Sequence, residues 1–331
     1  MAHTIRWGIM VFVRDLLRDP KARDASDVAH KVVAVASSSS KDKADKFISS
    51  VGIPDPCAAY ATYQELVADP NIDVIYVATP HSHHYQNVML CLEAGKNVLC
   101  EKAFTVNAAQ TKILCETAGK KNLFLMEAVW TRYFPLSVQV RELIQKGEIG
   151  EVLRTVADTS FGDDVEEKWG TKHRMVNPDL AGGALLDCSG HILPHLGLPD
   201  PLPHPARDQR KAPTVTSQMT PYHLTGADES TTILLSFPTS TPSNGPHPQR
   251  SQGVAMTNIR VAGDPDELGT SGPNIRIQGT KGEIQVFGNP FRPTSFRVIP
   301  KKGLGEVRTV ESSFLLRVMV CTGRRTRLLA A

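Results

Sequence analysis

The sequence predicts an α/β domain built on a parallel sheet, followed by an α+β domain with a largely antiparallel open sheet. Three observations carry this. Short apolar runs alternate strictly with helix-spaced segments from Ile5 to Met126. From Glu151 onward helices become scarce and strand-like runs follow one another. At 331 residues the chain is long enough for two domains of ordinary size.

In the first half, Ile5 to Met10 reads as a strand, and Phe12 to Arg18 follows with helix spacing. Lys31 to Ala36 is rich in β-branched residues and suits a strand buried on both faces. Ser40 is placed to cap a helix over Lys41 to Val51. Thr62-Tyr-Gln-Glu65 has the capping-box spacing and opens a helix that ends near Asp69-Pro70. Asp73 to Ala78 is a third strand, His84 to Ala94 a helix closed by Gly95, and Asn97 to Cys100 a fourth strand. Thr105 to Gly119 is a helix and Leu123 to Met126 a fifth strand. Strict alternation with short connections implies right-handed crossovers and a parallel sheet. Ligands of such sheets sit at the carboxyl ends of the strands. Ser37 to Ser40, Thr79 to His84 and Glu101-Lys102 fall there.

In the second half, Val152 to Thr159, Thr214 to Thr220, Thr231 to Phe237 and Ile275 to Gln278 are strand-like. Gly279-Thr-Lys-Gly282 marks a hairpin turn. Pro238 to Gly253, rich in Pro, Ser and Gly, reads as an exposed loop. There is no internal repeat.

An apolar fraction of 41% and a charged fraction of 21% belong to a globular chain, which argues against disorder. A net charge of +3 with both signs interleaved argues against nucleic acid or an anionic membrane as partner. No apolar stretch approaches the roughly 20 residues of a membrane span. The six cysteines lack a CxxC pair and read as reduced thiols, and no leader precedes the first strand. The expected location is the cytoplasm. His81, His83 and His84 invite a metal site, but a tight loop cannot aim all three at one ion and no Cys or acid cluster supports them. No metal is expected.

Three motifs stand in order on the expected elements. They are Thr79-Pro-His-Ser-His-His84, Glu93-Ala-Gly-Lys-Asn-Val-Leu-Cys-Glu-Lys102, and Gly182-Gly-Ala-Leu-Leu-Asp187. Together they resemble the glucose–fructose oxidoreductase/inositol dehydrogenase (Gfo/Idh/MocA) family, over residues 1–188 and more loosely 213–310. Glu127-Ala-Val-Trp-Thr-Arg-Tyr-Phe-Pro135 is similar to the branch of NADP-dependent D-xylose dehydrogenases and dimeric dihydrodiol dehydrogenases.

The resemblance implies a Rossmann-type NADP-binding domain over 1–127 and a substrate and dimerisation domain over 128–311; the basic tail over 312–331 departs from it. It implies hydride transfer from a cyclic sugar or trans-dihydrodiol, with D-xylose favoured, by a homodimer. Lys102 would be the catalytic lysine, since an ammonium can hold the reacting oxygen and pass a proton, and burial can lower its pKa to suit. Asp187 would accept a substrate hydroxyl, and His191, four residues on, would take the proton. Ser37, Ser38, Thr79, Pro80, His84, Glu101 and Lys102 would line the cofactor. Trp130 and Arg132 would flank cofactor or substrate, or else serve as a core aromatic and a structural ion pair. An NAD-selecting fold places an acid after the second strand for the ribose 2′-hydroxyl. Here Ser37-Ser-Ser-Ser-Lys41 has none before Asp42, so NADP is expected over NAD.

Three departures bear on activity. The glycine turn that lets a backbone approach the pyrophosphate is absent, because the next glycine after Gly8 is Gly52. Five prolines between His191 and Pro205 exclude a regular helix. With a permissible choice of codons, the neighbouring frame across His191 to His204 encodes Ser-Ser-Leu-Thr-Trp-Val-Phe-Gln-Thr-Leu-Tyr-His, an amphipathic helix. Segment 189–212 therefore reads as translated out of frame, and the basic tail 312–331 likewise, the alternative for the tail being a membrane-surface or partner-binding peptide. The alternative function is a family member that keeps the fold but not its cofactor.

Overall fold

Four-residue runs of Val, Ile, Tyr, Leu and Cys are too short for core helices and form the buried centre of a sheet instead. In the computed structural model, which describes residues 3–10, 28–188, 212–238 and 250–311, these runs are β4 (Val74–Val77) and β5 (Asn97–Cys100). They join β1 (His3–Met10), β2 (Val28–Ala36), β3 (Ala58–Tyr60) and β6 (Leu125–Glu127) in an all-parallel sheet of order β3-β2-β1-β4-β5-β6. The order reverses at β1, and this is the strand order of a dinucleotide-binding fold. β3 escaped the sequence reading because its three half-buried residues are too few to show a period.

Helices α1 (Lys41–Val51), α2 (Tyr63–Ala68), α3 (His81–Glu93) and α4 (Ala108–Lys120) connect the strands. The Ser40 cap and the Thr62/Glu65 capping box form as expected. Two helix starts differ from expectation. α3 begins at His81, directly after Pro80, so all three histidines lie in its first turn. α4 begins three residues after Thr105, because the Asn107 side chain accepts from the Gln110 N–H at 3.0 Å and caps it there. β6 starts at Leu125 instead of Leu123. The helix expected over Phe12 to Arg18 lies outside the described residues.

The chain divides into two compact units. The first runs to Trp130 and includes Asp179–Ala181; the second takes Thr131–Pro178 and resumes at Gly182. The second holds an eight-stranded sheet of β7 (Val152–Asp158), β8 (Thr214–Pro221), β9 (Asp228–Pro238), β10 (Arg250–Asn258), β11 (Ile275–Gly279), β12 (Gly282–Phe287), β13 (Ser295–Pro300) and β14 (Arg308–Glu311). Its order is β14-β13-β12-β11-β7-β10-β9-β8, antiparallel except where β10 meets β7. β10 claims Arg250 to Gly253, which the composition assigned to a loop; cross-strand pairing with β9 overrides a polar sequence there. The hairpin at Thr280-Lys281 is as expected.

α5 (Pro135–Gln145) covers one face of this sheet, where Leu136 and Val140 meet Ile275, Ile277, Ile284, Val286, Phe296 and Val298. Each such side chain contributes roughly 1.5–3 kcal/mol when fully buried. A one-residue slip would turn the row outward, so burial fixes the register. On β7, β11 and β12 the opposite side is a polar ladder, with Arg154 bonded to Gln278 at 2.6 Å and Arg276 to Glu283 at 2.7 Å. Two short helices complete the unit, α6 (Val165–Lys168) and α7 (Ala184–Cys188). Among the described residues no helix is long and apolar enough to cross a membrane, and no His/Cys/Asp/Glu group is arranged to hold a metal.

Candidate functional site

In the first unit the sequence-predicted residues gather where β4 and β5 end. Each residue of the segment after β5 is tethered by a different bond. The Glu101 N–H donates to the Val77 carbonyl at 2.8 Å, and the Lys102 N–H to the Glu101 carboxylate at 3.2 Å. The Ala103 carbonyl meets His84 Nδ1 at 2.7 Å, and the Phe104 N–H donates to Glu127 Oε1 at 3.0 Å. The Lys102–Ala103 peptide is cis. Glu101 also accepts a short hydrogen bond from the Tyr76 hydroxyl. Lys102 is thus presented, half-buried, from a segment held at both ends.

His84 is the joint between the two strand ends. Its Nε2 lies 2.7 Å from the Thr79 carbonyl while Nδ1 lies on that of Ala103, and its side chain is 1% exposed. Burial lowers its pKa below the usual value and outweighs the two carbonyls and Glu101, which pull the other way. A neutral ring has one N–H, so it donates to one carbonyl at a time. Asn87 donates to Thr79 Oγ1 at 3.1 Å and fixes the same turn. His81 meets the carbonyl of Ala181 at 3.2 Å. These contacts tie His81 and His84, in the first turn of α3, to the loops around them.

At the end of β2, Ser37 Oγ and Ser39 Oγ lie 3.3 Å apart, the Ser39 N–H donates to Ser37 Oγ at 3.3 Å, and Ser38 and Ser39 are exposed. No carboxylate stands between Ala36 and Asp42, while Lys41 opens α1 with its side chain exposed. Hydroxyls, a helix N-terminus and an ammonium suit a phosphate ester better than a ribose 2′-hydroxyl. The adenosine end of the fold therefore fits NADP. The glycine-free connection after Met10 lies outside the described residues.

Trp130 and Arg132, both half-buried, sit on one 3₁₀ turn, Trp130–Tyr133. In the second unit Asp187 stands on α7, 8% exposed. The two glycines before α7 have separate steric reasons. A Cβ at Gly182 would lie 2.2 Å from the Arg174 carbonyl oxygen, and one at Gly183 (φ +129°) 2.8 Å from Asp228 Cβ. Asp228 in turn accepts the Leu185 N–H and so caps the start of α7. Arg174 Nη1 donates to Asp187 Oδ1 at 3.0 Å. His191 and all of segment 189–212 but its last residue, with its frame question, lie outside the described residues, as does the tail 312–331. Sequence reasoning missed Tyr76, Asn87, Glu127 and Arg174, all partners across tertiary contacts. Asn87 alone left a signal, a polar residue on the inward side of an apolar helix.

A family model described as an oxidoreductase family with an NAD-binding Rossmann fold, Gfo/Idh/MocA, matches residues 15–129. The D-xylose 1-dehydrogenase (NADP(+)) of Hypocrea jecorina is 50% identical over 321 residues, covering 93% of this chain and 78% of that protein. The chain belongs to the Gfo/Idh/MocA family. A trans-1,2-dihydrobenzene-1,2-diol dehydrogenase of Xenopus tropicalis is 35% identical over 275 residues, 83% of this chain and 72% of that one. The fold is similar to that of the aldose-aldose oxidoreductase from Caulobacter crescentus, solved with glycerol, at a TM-score of 0.70 over 94% of this chain and 84% of that one. At 19% identity that likeness concerns the fold alone.

Proposed function

We propose that this chain is an NADP-dependent dehydrogenase that oxidises a CH–OH group of a cyclic sugar or trans-dihydrodiol, with D-xylose the favoured substrate and its lactone the product. The observation that carries the reading is the 50% identity to a D-xylose 1-dehydrogenase across 93% of the chain. The tethered lysine segment and the acid-free end of β2 support it. Bound NADP supplies the hydride acceptor. Lys102 donates a hydrogen bond to the reacting oxygen and helps move its proton, which ends on His191. Asp187 accepts a hydrogen bond from a substrate hydroxyl. The Ser37–Ser40 turn, with Ser38 exposed, holds the 2′-phosphate; Thr79, Pro80, His84 and Glu101 shape the loops beside the cofactor; Trp130 and Arg132 flank it or the substrate. The protein acts in the cytoplasm as a homodimer.

A second reading, a family member that keeps the fold and has lost its cofactor, is favoured by one feature: no glycine stands between Gly8 and Gly52. Fluorescence titration of the purified chain with NADPH, and NADH as control, separates the two. The dehydrogenase reading expects affinity on the order of micromolar that favours NADPH, followed by turnover of D-xylose. A folded sample that binds neither nucleotide overturns it in favour of the second.

A further inference from the structure

We propose that Arg174 is a specificity-determining residue of the substrate site, forming with Asp187 a donor–acceptor pair that takes one hydroxyl of a polyhydroxylated ring. Asp187 accepts a hydrogen bond from the hydroxyl, and Arg174 donates one to the same hydroxyl oxygen. The inference rests on the reading of Asp187 as a substrate-binding carboxylate.

Three observations on the second unit carry it. First, the pair is asymmetric. The Arg174 side chain is 58% exposed and the Asp187 side chain 9%, with Nη1 and Oδ1 3.0 Å apart. The carboxylate is recessed and the guanidinium forms its outer rim. Second, only part of the guanidinium is used. It has five N–H donors, and among the described residues its side-chain partner is Asp187. The arginine side chain is mostly exposed beside the carboxylate that the functional reading needs.

Third, the fork is held from behind. Met175 and Val176, the next two residues, are 4% and 0% exposed. The Val176 N–H donates to the His173 carbonyl at 3.0 Å, and the His173 ring stacks on Trp169 with centroids 5.3 Å apart. The Gly182 N–H donates to Asn177 at 3.0 Å, and Gly182 has no side chain because the Arg174 carbonyl occupies that space. The backbone of Arg174 is thereby fixed against the residues that lead into α7. A fork on a fixed root loses little freedom on binding, which is the condition for selectivity.

An ion pair alone would not need the guanidinium at the rim, 58% exposed. What the geometry does supply is chemistry suited to a hydroxyl, which carries one donor and two acceptor lone pairs. A recessed anion beside an exposed planar cation satisfies both sides of it. A ring lacking the hydroxyl leaves both groups without that partner and is selected against.

The experiment compares the wild-type chain with Arg174→Met and Arg174→Gln. Gln keeps a donor for Asp187, so the local fold survives, but lacks the outward donors. For the folded variants the expected result is a KM for D-xylose raised about tenfold or more, kcat changed less than about threefold, and NADPH affinity unchanged. Calorimetric titration of D-xylose into chain saturated with NADPH reads the same step without turnover. If the wild type binds D-xylose without oxidising it and the variants bind at least tenfold more weakly, the inference stands and the dehydrogenase reading fails. A folded Arg174→Gln chain with wild-type KM and wild-type sugar affinity overturns the inference, as does a wild type that binds no polyol.

Discussion

At the scale of single residues, the proposed chemistry of the first unit centres on Lys102 and the groups that hold its segment. Replacing Lys102 by Met removes the ammonium and leaves the tethers through Glu101, Ala103 and Phe104 in place. A positioned proton-transfer group contributes about 10²–10⁴-fold. The Lys102→Met chain is expected to lose kcat in that range while NADPH affinity stays within a few-fold, measured by initial rates and titration. A kcat within a factor of two of wild type would remove Lys102 from the chemistry. His84 makes a different prediction. Burial lowers its pKa, so the folded chain resists a proton that the unfolded chain accepts near the ordinary value of about 6.5. Its contribution is complete above that value and declines as pH falls toward the depressed one. Urea midpoints between about pH 7.5 and 5.5 should therefore fall more steeply for wild type than for His84→Gln. Equal slopes would mean that the imidazole keeps its ordinary pKa. Lys102 was legible from its motif; the tethers were not, because Tyr76, His84 and Glu127 reach it from 26, 18 and 25 residues away in sequence.

At the scale of elements, the Gly182-Gly183 step decides whether α7 and the 170–177 loop can approach. A methyl at Gly182 would overlap the Arg174 carbonyl, with 2.2 Å between the atoms, and backbone cannot swing aside as a side chain can. Overpacking of this kind costs about 1–3 kcal/mol. Gly182→Ala should lose that much in chemical denaturation and should also raise the KM for D-xylose, since Arg174 moves with the loop. Gly170→Ala, with nothing within 4 Å of the added carbon, is the control and should be neutral. If both substitutions are equally harmless, the close approach has no energetic weight. Local signals placed many elements well. The Thr62/Glu65 box, the Ser40 cap and the Thr280-Lys281 turn all depend on neighbours within four residues. β10 depends on β9 and β7, and its Arg-Ser-Gln-Gly start carries no period of its own.

At the scale of the whole molecule, the eight-stranded sheet matters through the face that α5 leaves uncovered. That face carries interleaved Arg154, Gln278, Arg276 and Glu283, paired within the chain, and Leu234 stands 51% exposed on β9. Antiparallel sheets commonly leave one side available, and a second copy is the occupant that the family resemblance suggests. Light scattering on the purified chain should return twice 36.1 kDa. A mass of 36.1 kDa at all concentrations would discard the homodimer without touching the proposed chemistry.

The sequence by itself determined the fold class, most of the strands, the family, and the positions of Lys102 and Asp187. These follow from local periodicity, capping and motifs, which are properties of contiguous residues. The tertiary structure decided what those two groups touch: Lys102 on a segment held by His84, Glu101 and Glu127, Asp187 recessed behind Arg174. It also showed why two glycines precede α7. Hydrogen-bond partners far apart in the chain leave no periodic trace. Their geometry exists only once the strands and loops have packed.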